Sequence, residues 1–180
     1  MKILHYSDQK DDRLRELFIQ ADAMFVTGDL SIFHFNGIED IISSKPSFGV
    51  YGNHCSIGYL EKLGIKNVHL KVNEWNGLKI GGFEGCLRYK SGGGPQFSEE
   101  EAKDSLTEFG AVDILLLHAA PFQMLDTPGD IVHTGSKEVR SYIERARPKY
   151  IFCGHESPSM EKDFDGTKIF RTHGARIIEI

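Results

Sequence analysis

The sequence predicts an α/β fold in which two packed sheets carry helices on their outer faces. Its N-terminal third alternates short apolar runs with stretches of helical periodicity, the β-α-β-α-β order that implies a parallel sheet. Further β-type runs follow toward the C-terminus, and two sheets accommodate their number. Apolar runs also share one kind of ending: Tyr6-Ser7-Asp8, Val26-Thr27-Gly28-Asp29, Tyr51-Gly52-Asn53-His54, Leu117-His118 and Phe152-Cys153-Gly154-His155. Open α/β sheets place their ligands at the carboxyl ends of strands. Core packing gives no reason for Asp, Asp, Asn, His and His to stand at five such ends, and together they read as one metal site.

Each element has its own signal. Residues 2–6 form a β-type run, and 13–20 read as an amphipathic helix because Leu14, Leu17 and Phe18 recur at helical spacing. A strand is expected over 24–27, a helix over 38–43, a strand over 47–51 and a short helix over 57–63 closed by Gly64. Strands over 68–72 and 78–82, joined by the turn-rich 73–77, suggest an antiparallel hairpin. The run 99–109 reads as a helix whose acidic first turn suits the helix dipole, with Glu99, Glu100 and Glu101 as a solvated start. A buried strand over 114–117, a helix over 137–145 and strands over 149–153, 168–170 and 176–180 complete the chain. Two long loops, 85–97 and 121–136, carry Arg88, Tyr89, Lys90, Asp126, Asp130 and His133; loops of that length in compact domains are often functional. Gly92-Gly93-Gly94 is no phosphate-cradling loop, since no Lys-Ser/Thr pair and helix follow it.

Length and composition narrow the class. At 180 residues the chain is expected to be one domain over 1–180, and 40% hydrophobic with 26% charged residues is ordinary for a soluble protein. A formal net charge of −5 argues against a nucleic-acid binder, although bound cations can reverse the field locally at a phosphate site. No apolar run approaches the roughly 20 residues of a membrane span, and Met1-Lys2-Ile3-Leu4 leads into a polar turn rather than a cleavable leader. Cys55, Cys86 and Cys153 form no CxxC pair and fit a reducing, cytoplasmic setting. Oligomeric state is not legible.

Asp8, Gly28-Asp29, Gly52-Asn53-His54, His118-Ala119-Ala120-Pro121 and Gly154-His155, in that order, resemble the signature of calcineurin-like metallophosphoesterases over almost the whole chain. The resemblance implies a four-layer α-β-β-α sandwich of two mixed sheets flanked by helices, with a two-metal centre that hydrolyses phosphoesters. Two cations roughly 3.5–4 Å apart polarise a phosphoryl oxygen and acidify a bridging water. By resemblance Asp29 is the bridging carboxylate, and Asn53, His118 and His155 complete the second metal's ligands. That mixed N/O set suits Mn, Fe, Zn, Ni or Co rather than Ca. His54 is implied as general acid for the leaving oxygen or as a charge donor to it, and Arg88 and His133 are candidate substrate contacts.

Two departures fall on the same half of the site. The family's Asp-x-His is here Asp8-Gln9-Lys10, and its Gly-His-x-His is Gly154-His155-Glu156-Ser157. The first metal keeps only Asp8 and the shared Asp29, so one tightly bound ion is expected, with a second site weak or absent. Lys10 is expected to supply the missing positive charge by pairing with Asp8, Asp29 or a substrate phosphate, since a lysine ammonium is a compact point cation. Cys55 stands where the family has a carboxylate and is read as a small buried residue. The function expected is hydrolysis of a small phosphomonoester or phosphodiester. The alternative is a non-catalytic interaction scaffold on the same fold, which would not need the retained Asn53-His54 pair or both His118 and His155.

Overall fold

A computed structural model describes residues 1–180, and thirteen strands and four α-helices make up its regular structure. Strands β1 (Lys2–Ser7), β2 (Ala23–Val26), β3 (Ser47–Gly49) and β4 (Lys66–Asn67) run parallel. They are linked through α1 (Leu14–Gln20), two 3-10 turns and α2 (Tyr59–Lys62). The hairpin β5 (Asn73–Trp75) and β6 (Leu78–Phe83) opens the second half, followed by the small pair β7 (Cys86–Leu87) and β8 (Gln96–Phe97). Then come α3 (Glu99–Thr107), β9 (Ile114–Leu117), α4 (Lys137–Ala146), β10 (Tyr150–Cys153), β11 (Met160–Phe164), β12 (Thr167–Arg171) and β13 (Gly174–Glu179).

The large sheets are mixed. One has the order β13-β1-β2-β3-β4, with β13 antiparallel at its edge; the other has β11-β12-β10-β9-β6-β5, parallel in the middle and antiparallel at both edges. Successive residues of a strand face opposite ways, which is why Ile3 and Leu4 enter different cores. Ile3, Phe25, Phe48 and Val50 meet Ile80, Ile114, Leu116 and Phe152 between the sheets, with Phe25 edge-on to Phe152 at 5.0 Å. Leu14, Phe18, Tyr59 and Leu60 seal the outer face of the first sheet, and Ala102, Leu106, Val139 and Ile143 that of the second. Each fully buried large side chain of this kind contributes about 1.5–3 kcal/mol. The result is the α-β-β-α sandwich. No helix is long and apolar enough to cross a membrane.

Three expectations change in detail. The helix over 38–43 is replaced by single 3-10 turns at Ile32–Phe35 and Ile42–Ser44. Phe35, Ile38 and Ile42 are buried as helical spacing suggests, but the left-handed Gly37 (φ 95°) precedes the segment and Lys45, extended before Pro46, ends it, and only single 3-10 turns form. The hairpin exists with a tighter turn. Leu70 at φ 51° ends the extended run over 68–72, and the strand starts at Asn73, so that Asn76 and Gly77, both at positive φ, form a two-residue turn with Trp75 opposite Leu78. Strand β11 has no alternating apolar signal because it is an exposed edge, and its Glu161-Lys162-Asp163 suits an edge that must not pair further. The acidic start of α3 is more than solvated. Glu99 accepts the N–H groups of Lys137 (2.9 Å) and Glu138 (3.2 Å) at the start of α4, and Glu101 closes a capping box with Ser98.

Candidate metal centre

Asp29 and Asn53 follow β2 and β3 of one sheet; His118 and His155 follow β9 and β10 of the other. All four strands end on the same side of the sandwich, so the side chains meet across the seam between the sheets. The ligand atoms of Asp29, His118 and His155 lie within 4.8 Å of one another. His118 Nε2 is 2.8 Å from Asn53 Oδ1, 3.1 Å from His155 Nδ1 and 3.4 Å from Asp29 Oδ2.

Local backbone geometry makes this approach possible. Asp8, Asp29 and His155 each adopt the left-handed region (φ 65°, 51° and 71°) within three residues of their strand ends, turning the chain sharply there. Gly28 and Gly52 let the β2 and β3 turns touch, since a Cβ on Gly28 would stand 2.8 Å from His118 Nδ1 and one on Gly52 would stand 2.6 Å from the Asp29 nitrogen. Cys55 staples the same turns: its Sγ accepts the N–H groups of Asp29 and Gly52, both at 3.0 Å. Burial raises the Cys55 thiol's pKa, so it is a neutral acceptor filling the place of a carboxylate.

Hydrogen bonds fix the imidazole tautomers. His118 donates through Nδ1 to the Thr27 carbonyl at 2.7 Å, and His155 donates through Nε2 to the Val132 carbonyl at 2.9 Å. The remaining nitrogens therefore turn lone pairs toward each other. Asn53 donates its Nδ2 to the Tyr89 hydroxyl (3.1 Å), which points its Oδ1 inward as well. Four acceptor atoms face one point with no donor among them, and only a cation relieves that. A proton performs this service in the metal-free cluster. Burial opposes charge on His118, but Asp29 and then Asp8 outweigh it and raise its pKa; burial and the His118 charge lower His155 to about 4. Asp29 is held low although burial opposes its ionisation, because His118 and the His54 N–H lie against it. The donor set of carboxylate, amide oxygen and two imidazoles fits a first-row divalent transition metal.

The other expected residues are placed as follows. Asp8 lies beside the cluster and accepts the His155 N–H at 2.9 Å, and burial raises its pKa. His54 is exposed at the mouth, with Nε2 3.4 Å from the Tyr89 hydroxyl. His133 bonds Asp130 (2.8 Å) through Nδ1, and its ring centre lies 5.1 Å from that of His155. The placement of Lys10 is a correction. The left-handed turn at Asp8 sends the following residues outward, and the ammonium, on a 61% exposed side chain, pairs with Asp12 at 2.8 Å. Arg88 is likewise turned away, bonding Glu101 (2.7 Å) and the Gln96 carbonyl (3.1 Å). Its neighbour Tyr89 faces the site instead, with its hydroxyl against Asn53 and His54.

A family model described as calcineurin-like phosphoesterase matches residues 1–158. No curated protein matches the chain. Among solved structures, TT1561 of Thermus thermophilus is similar with a TM-score of 0.65 and 16% identity, over 94% of this chain and 88% of that one. Phosphopantetheinyl hydrolase from Mycobacterium tuberculosis gives 0.62 and 11%, over 96% and 89%. Vacuolar protein sorting 29 from Cryptosporidium parvum gives 0.50 and 15%, over 94% and 72%. At these identities the likeness is one of fold.

Proposed function

The chain belongs to the calcineurin-like phosphoesterase family, and from that premise we propose that it hydrolyses a small phosphomonoester or phosphodiester with the help of one firmly held divalent cation. The observation that carries this is the set of four inward-facing acceptor atoms on Asp29, Asn53, His118 and His155. When bound there, a cation such as manganese supplies a Lewis acid that polarises a phosphoryl oxygen and acidifies water.

The protein's own groups do the rest. The Thr27 and Val132 carbonyls keep the imidazoles in the binding tautomer, the outer-shell role that orients metal ligands generally. Tyr89 holds the Asn53 amide and stands beside His54 Nε2, so the imidazole is aimed across the mouth. His54 protonates the departing ester oxygen. His133, fixed by Asp130, contacts the substrate from the opposite wall. Asp8 and Asp29 alone are too few to hold a second ion tightly, which supports a centre with one firm site. Three unpaired thiols support a cytoplasmic setting. The acidic net charge supports a small substrate over a nucleic acid.

Release of p-nitrophenol from bis-p-nitrophenyl phosphate with added manganese tests the reading. The His54→Ala variant is expected to lower kcat by about a hundredfold or more. Equal background rates from both proteins would favour a non-catalytic scaffold, a reading supported by the loss of two histidines from one half of the site.

A further inference from the structure

We propose that Gln96 is a positioning residue of the metal centre: its side-chain amide clasps the loop over 88–95 shut and so holds Tyr89 against Asn53 and His54. This rests on the reading of Asn53 as a metal ligand and adds the residue that keeps it aimed. Strands β7 and β8 are parallel, with Cys86 opposite Gln96, so the chain between them must double back along the pair. Such a return usually takes about a dozen residues or more. Here it is shorter and contains Gly92, Gly93 and Gly94, a residue type that loses much freedom on ordering. The main chain over 89–93 makes no hydrogen bond to any other main-chain group. One side chain holds it instead: Gln96 Oε1 accepts the Tyr89 N–H at 3.3 Å, and Gln96 Nε2 donates to the Gly92 carbonyl at 2.9 Å.

The clasped loop grips Asn53 at two points. The Tyr89 hydroxyl accepts from the Asn53 side chain through Nδ2 at 3.1 Å, and the Gly94 N–H donates to the Asn53 main-chain carbonyl at 3.0 Å. Gly94 has no room for a side chain there, since a Cβ would stand 2.8 Å from that carbonyl oxygen. A Cβ on Gly93 would stand 3.4 Å from Gln96 Nε2 and 3.7 Å from the same Asn53 oxygen, so the clasp lies directly beside the ligand residue. An amide group turns over a broad torsional range unless a partner holds it. Asn53 Oδ1 faces the centre because Nδ2 has its acceptor, and that acceptor stays in place because Gln96 bonds the main chain of Tyr89. The same Tyr89 hydroxyl lies 3.4 Å from His54 Nε2, so one clasp serves both residues.

The test is a double-mutant cycle read by titration calorimetry with manganese. Gln96→Ala is expected to lower the affinity about tenfold, as Tyr89→Phe does. The double variant is expected to lose about tenfold rather than a hundredfold, because the first residue acts through the second. Gln96→Glu keeps the acceptor for the Tyr89 N–H and loses the donor to Gly92, and an intermediate loss is expected of it. Amide exchange followed by NMR in the metal-free protein supplies a readout independent of metal. In Gln96→Ala it is expected to speed up at Tyr89 and to stay unchanged at Leu115 and Leu116 within the β9 ladder. An unchanged manganese affinity in both Gln96 variants overturns the proposal, as does a multiplicative loss in the double variant. Exchange that also speeds up at Leu115 and Leu116 makes Gln96 a residue of general stability and overturns it too. A wild-type chain that binds no manganese removes the metal-centre reading beneath it, a result distinct from the others.

Discussion

The bonds from His118 Nδ1 to Thr27 and from His155 Nε2 to Val132 decide what the other two ring nitrogens can do. The Tyr89 hydroxyl does the same for Asn53. Tyr89→Phe removes that tether without touching a metal ligand. Manganese affinity measured by titration calorimetry is expected to fall about tenfold, and an unchanged affinity would show that Asn53 orients itself unaided. The ligand residues are readable from the chain because a glycine-flanked polar residue ending an apolar run is a local pattern. Lys10 and Arg88 mislead for a common reason. A charge near a site in sequence says nothing about nearer counter-ions, and Asp12 and Glu101 claim these two. The two main-chain carbonyls leave no trace in the sequence at all.

Among the elements, the loop over 121–136 must be held still if Val132 is to keep His155 in place. A buried pair does this: Arg171 on β12 lies 3.1 Å from Glu156, which also accepts from Thr127 at 2.7 Å inside the loop, while Arg171 reaches the Leu125 carbonyl. Both charged side chains are almost wholly buried. Arg171→Met strands the carboxylate and is expected to cost about 3–5 kcal/mol in urea unfolding. The double variant Arg171→Met, Glu156→Gln should recover a good part of that loss, and a double variant no more stable than the single one would deny the pairing. Strands and amphipathic helices are legible because burial imposes a period on them. The 3-10 turns, the exposed β11 and the early end of the extended run at Leu70 are not, since a positive φ at a leucine and an unburied edge leave no apolar period to read, whereas Asn76-Gly77 does mark the hairpin turn.

At the scale of the molecule, the two sheets contribute different chemistry to one seam: carboxylate and amide from the first, imidazoles from the second. Metal binding therefore couples the halves, and it competes with a proton. The pKa of His118 is raised from the ordinary 6.5 to about 9, so its charge stabilises the metal-free fold fully below pH 6.5 and that contribution fades as pH rises through about 9. Asp29 runs the other way, lowered from 3.8 to about 2; its contribution is present above 3.8 and lost as pH falls through about 2. A divalent cation needs the unprotonated imidazole. The Tm of the metal-free protein is expected to fall between pH 6.5 and 9 while the rise in Tm on adding manganese grows; a rise that shrinks with pH would contradict proton–metal competition.

The most direct measurement is the metal content of the folded chain by inductively coupled plasma mass spectrometry after loading with manganese and exhaustive dialysis. One ion per chain, lost when His118 and His155 are both replaced by alanine in a variant that still folds, is the expected result. No retained ion, or two held with equal tenacity, would contradict a single cation bound by the four converging acceptors.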